Sequence, residues 1–204
     1  MPESTEVRNT GDSQVSTEAV HTPRYVLDPM LSRFTVRAFA TGFLSAFGHS
    51  PTISLRDFTG EAQFDPSHPE SGRLHIALNA RSLSVTNDVS DKDRREMERE
   101  MHENVLESAK YPEITYDCPQ VSVDNAENGK ESIKLLGKLT LHGVTRSQPI
   151  HARLAINGDM LHAFGEFTIR QSDYNIKPIS AIGGGLKVKD ELKFSFDIVG
   201  RKQE

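Results

Sequence analysis

Apolar and polar residues alternate strictly in eight or more short segments of this chain, so each segment has one face toward an apolar interior and one toward water. In SRFTVRAFA, Phe34, Val36 and Ala38 fall on one face, and Arg33, Thr35 and Arg37 on the other. RLHIALNA repeats the pattern through Leu74, Ile76 and Leu78, and SIKLLGKLTLHG through Leu139 and Leu141. PIHARLAING adds Leu154, MLHAFGEFTIR adds Phe167, and ELKFSFDIVG adds Phe194 and Phe196. TISLRDF, GEAQFD and EITYDC follow the same rule. Strands of a parallel α/β sheet are buried on both faces, so this patterning excludes that class and leaves an antiparallel sandwich or barrel. Gly137 and Gly165, inside strand patterns, predict bends or bulges that help a sheet curl.

Residues 1–23 are rich in Ser, Thr, Glu and Asn with isolated valines, and are expected to form a disordered polar tail ahead of one β domain over residues 24–202. The tail contains no apolar run of signal-peptide length, which places the expected compartment in the cytoplasm. No stretch approaches the roughly 20 apolar residues of a membrane span. A formal net charge of −5 provides no broad positive field, so nucleic acid is not an expected partner. The single cysteine, Cys118, excludes an intrachain disulfide framework and a CxxC site.

One helix interrupts the strands, in SDKDRREMEREMHENVLES. Ser90 is placed to cap it, Asp91 and Asp93 lie in its first turn, and Met97, Met101 and Val105 recur on one face. Arg94 with Glu98 and Arg99 with Glu103 have the spacing of exposed ion pairs. A narrow apolar stripe under a charged outer face suits a lid across one end of a barrel.

No metal-ligating spacing unites the histidines, and no catalytic elbow, phosphate loop or dinucleotide fingerprint is present. His75, His151 and His162 have the parity of solvent-facing residues. His49 sits in a turn after the apolar run containing Phe43 and Phe47, where it either contacts a ligand headgroup or is satisfied structurally. Arg170, Ser172, Asp173 and Tyr174 close a strand together and form a polar rim, with an Arg–Asp pair that shapes the turn as the plainer alternative.

In order and spacing, YVLDPMLSRFTVRAF, FTGEAQFD, RSLSVTNDVSDKD, VLESAKYPEITY, GKLTLHGVTRSQPI, GEFTIRQSDYNI and DELKFSFDIVG resemble the YceI-like family of polyisoprenoid-binding proteins. The resemblance implies an extended antiparallel eight-stranded lipocalin-like barrel with one short helix between strands, and often a homodimer. It also implies a channel for a polyisoprenoid, an isoprenoid quinone or a fatty-acid derivative. On that basis the inward residues named above, with Phe43, Phe47, Met97 and Met101, are expected to line the channel, and His49 with Arg170, Ser172, Asp173 and Tyr174 to meet the headgroup. No cofactor is expected beyond a lipid that co-purifies. The alternatives are a metal-assisted hydrolase or isomerase using His49, and a side-chain-filled barrel serving protein association.

Overall fold

A computed structural model describes residues 22–41, 50–127, 130–178 and 187–203. Residues 1–21 of the tail expected over 1–23, and the run holding Phe43, Phe47 and His49, lie outside the described residues. The described chain forms twelve strands in one antiparallel sheet. They are β1 Arg24–Leu27, β2 Arg33–Thr41, β3 Thr52–Leu55, β4 Phe58–Gln63, β5 Arg73–Asn79 and β6 Ser84–Val85. After the helix α1, Asp91–Glu100, come β7 Glu113–Cys118, β8 Val121–Glu127, β9 Lys130–Leu141, β10 Val144–Asn157, β11 Met160–Arg170 and β12 Lys187–Lys202.

The path β1-β4-β5-β7-β9-β10-β11-β12 returns to β1 and closes the expected eight-stranded barrel. β12 is long enough to serve two partners: Gly200–Lys202 pairs with β1, and residues 187–197 pair with β2. β3 and β6 extend β2 into a flap beside the barrel. β9 divides itself likewise, pairing with β8 through Leu135 and with β7 from Lys138.

Alternation places the side chains as the sequence predicts. On β12, Phe196 and Ile198 are buried while Asp197 is exposed. The outward histidines meet carboxylates: His75 Nδ1 lies 2.6 Å from Asp117, His162 Nε2 2.6 Å from Asp197, and His151 Nδ1 3.3 Å from Asp124. The β9–β10 turn consists of His142 and Gly143, with φ of 51° and 73°. Two consecutive positive-φ residues match the strand twist of a tight hairpin.

An aromatic ring covers each of Gly137 and Gly165. Phe196 lies over Gly165, and Tyr116 reaches from β7 across Gly137 to β10. There its hydroxyl donates to the Gln148 carbonyl at 3.0 Å, and burial raises its pKa well above the ordinary tyrosine value. A ring of this size crosses the strand only where no Cβ stands in its way.

A Gly137→Ala Cβ would lie 2.9 Å from the Asp117 carbonyl and closer still to the Tyr116 ring. This variant is expected to lose about 1–3 kcal/mol, read as a lower urea midpoint at unchanged m-value.

Candidate functional site

The barrel's two ends differ. At the end holding the β10–β11 turn, the inward side chains pack closely and leave a cavity of about 50 Å³ among Leu27, Phe64, Leu74, Leu154, Phe196 and their neighbours. Ligand pockets run to several hundred Å³, so this end is filled core. Leu74, Leu154 and Phe196, read from the sequence as channel lining, belong to this packed floor.

Toward the other end the interior is looser. Val36, Ala38, Ile76, Leu78, Leu139 and Leu141 are buried, yet Phe34, Phe167 and Phe194 on the same inner face are only half-buried. Phe167 and Phe194 stack with centroids 5.0 Å apart and planes 13° apart, and Phe34 meets Phe58 edge-on at 5.0 Å. Inward aromatic rings that keep solvent access mark apolar surface for which the described residues supply no complete cover.

α1 approaches this end with Ser90 as its cap, the hydroxyl accepting from the Asp93 amide at 3.2 Å. Met101 is buried and Met97 half-buried, as the apolar stripe predicts. The expected exposed pair of Arg94 with Glu98 does not form. Instead, the Val85 amide donates to Glu98 at 2.9 Å, and Arg94 donates to the carbonyls of Val85 and Asn87. β6 pairs only with β3, leaving one edge open, and these two side chains take the place of the absent neighbouring strand. Nearby His102 is satisfied structurally, with Nε2 3.0 Å from the Leu83 carbonyl and Nδ1 3.1 Å from the Ser108 hydroxyl. His142 is likewise held, between the Tyr174 carbonyl and Glu107.

A polar hollow lies in the barrel wall. β10 and β11 pair only from Ala152 opposite Gly165 to Asn157 opposite Met160. Beyond Ala152 they part, and a hollow of about 370 Å³ occupies the seam. Arg146, Ser147 and Gln148 form one lip, Thr168 and Arg170 the other, with Ile169, Asp173, Tyr174 and Glu191 completing it.

The rim predicted over residues 170–174 is therefore partly assembled here. Arg170 and Asp173 line the hollow without pairing with each other, so the simple Arg–Asp turn pair is not formed. Ser172 turns away, donating its hydroxyl to Asp190 at 2.6 Å and its amide at 2.8 Å. Tyr174 is buried at 2% exposure and also lines the hollow. Arg146 was missed. It and Gln148 share the parity of the inward Ile150 and Ala152, and polar residues at two successive inward positions were the signal available.

The model of the YceI-like domain matches residues 25–200. A UPF0312 protein of Enterobacter sp. (strain 638) is 30% identical over 106 residues, 52% of this chain and 50% of that protein. Protein YceI of Escherichia coli O6:H1 is 28% identical over 130 residues, 61% of this chain and 62% of that protein. The chain thus matches between half and 62% of the length of these curated relatives. Among solved structures, Burkholderia cenocepacia BcnA superposes with a TM-score of 0.64 at 18% identity, covering 85% of this chain and 98% of that one. A polyisoprenoid binding domain from Saccharophagus degradans, implicated in plant cell wall breakdown, gives 0.63 at 14% identity, covering 88% and 98%.

Asp190 anchors the turn beside the seam, and its hydrogen bonds from Ser172 hold its pKa below the usual carboxylate range. A depressed folded pKa contributes stability that is complete above the ordinary Asp value of about 4 and is lost as pH falls through the folded value. The Tm difference between wild type and Asp190→Asn is expected to be widest above about pH 5 and to close in more acid solution.

Proposed function

Because the chain belongs to the YceI-like family, we propose that it binds a long-chain amphiphile and sequesters or carries it, with the chain against the loosely covered inner face. A polyisoprenoid, an isoprenoid quinone or a fatty-acid derivative fits this role. The observation that carries the proposal is the row of half-buried inward aromatics, Phe34, Phe167 and Phe194, above a packed floor. The fold shared with a polyisoprenoid binding domain supports the same reading.

The energetics suit reversible capture. Each CH₂ removed from water contributes about 0.8 kcal/mol, so even half of a chain of roughly forty carbons would gain about 16 kcal/mol gross. Ordering the chain and withdrawing it from a membrane offset much of that gain, which leaves exchange feasible. The packed floor limits how much chain the barrel covers, so length discrimination is part of the proposal. Among the described residues, no helix is long and apolar enough to cross a membrane.

Protein purified without detergent is expected to release a long-chain lipid on organic extraction, detected by mass spectrometry. Delipidated protein should then take up a fluorescent fatty probe. Finding neither lipid nor probe binding would remove the proposal.

A further inference from the structure

The seam between β10 and β11 gathers four charged side chains around one hollow. At several other places on the barrel surface opposite charges meet: Arg24 with Glu61, Lys193 with Glu166 at 2.7 Å, and Arg201 with Asp28 at 3.1 Å. Within the seam, Arg146 and Arg170 stand on opposite lips and Asp173 and Glu191 lie beside them. No ion pair joins these four among the described residues. Arg146 donates from Nε to the Asp173 carbonyl, which orients its guanidinium and leaves its terminal nitrogens available. Gln148 and Thr168 add neutral donors to the same hollow.

Two positive and two negative side chains around one hollow favour neither a lone anion nor a lone cation. An anion would gain the guanidiniums and meet two carboxylates, while a cation would meet the converse. Asp190, whose charge also acts on Arg170, weighs further against a simple anion. A ligand carrying both signs satisfies all four groups, and a hollow of about 370 Å³ lies within the size range of small-ligand pockets.

We infer that the seam receives a zwitterionic headgroup, its anionic part between Arg146 and Arg170 and its cationic part against Asp173 and Glu191. The inference rests on the lipid-binding proposal and specifies its headgroup. The seam borders the interior: Ile169 lines it, is buried, and stands one inward position after Phe167 of the stacked Phe167–Phe194 pair on β11.

A matched set of ten-carbon probes below their micellar concentrations separates head from tail: decylphosphocholine, decyl phosphate, decyltrimethylammonium and decanol. Wild-type protein is expected to bind decylphosphocholine about tenfold more tightly than the other three, the gain of one charge-assisted contact. Arg170→Ala should reduce decylphosphocholine to the level of decanol and leave decanol unchanged. Asp173→Asn with Glu191→Gln removes no hydrogen bond of either side chain among the described residues, and should shift the preference to decyl phosphate. Equal affinity for all four probes, or a wild-type preference for decyl phosphate, overturns the zwitterionic assignment while the lipid-binding proposal stands. Failure of every probe, decanol included, removes both.

Discussion

β1 contributes only four residues to the sheet, yet both of its edges are used: Arg24–Val26 pair with β4, and Tyr25–Leu27 pair with β12. Backbone groups withdrawn from water require partners, and a strand bonded on both sides leaves no edge for water or another chain to reach. Without this pairing, the strands from β4 to β12 would form an open, curled sheet with its apolar face unsealed. The turn after β1 strengthens the closure. Asp28 accepts from the Met30 amide and from Arg201 on β12, and the Arg201 hydrogen bond holds its carboxyl below the usual range.

Closure at one end sets the character of the other. β12 gives its last residues to β1 and most of its remaining length to β2, so the flap of β2, β3 and β6 grows from the strand that seals the barrel. Where β1 closes the wall, the interior is dense. Beyond that level, the wall depends on the flap and the α1 segment, and inward aromatics keep part of their surface uncovered. The filled floor and the looser interior above it therefore follow from the same division of β12.

Most of the barrel was legible because a two-residue period reports directly which face of a strand is buried. β9 through β12, each longer than ten residues, carry enough alternation to leave no ambiguity. β6 was not legible, since two residues carry no period. Its invisibility caused the misreading of Arg94 and Glu98: helical spacing alone suggests that they pair with each other, and only an open strand edge gives them different partners. The burial of Tyr174 was not legible because a polar neighbourhood in sequence says nothing of which residue turns inward. The seam was hidden for a related reason. Two strands can each alternate correctly and still separate halfway along, because pairing is a relation between segments that a single segment does not encode.

The attachment of α1 bears on kinetics. None of the residues from Asp91 to Glu100 is buried, and two charged side chains on the β6 backbone provide its tie to the flap. Lifting such a segment breaks a few part-buried hydrogen bonds and leaves the barrel's own ladders intact, a sub-global opening cheaper than unfolding. The barrel can then be durable in its fold while α1 opens quickly. Under the proposed function, ligand residence time would follow from how tightly the lipid chain is held, with global stability free to change independently.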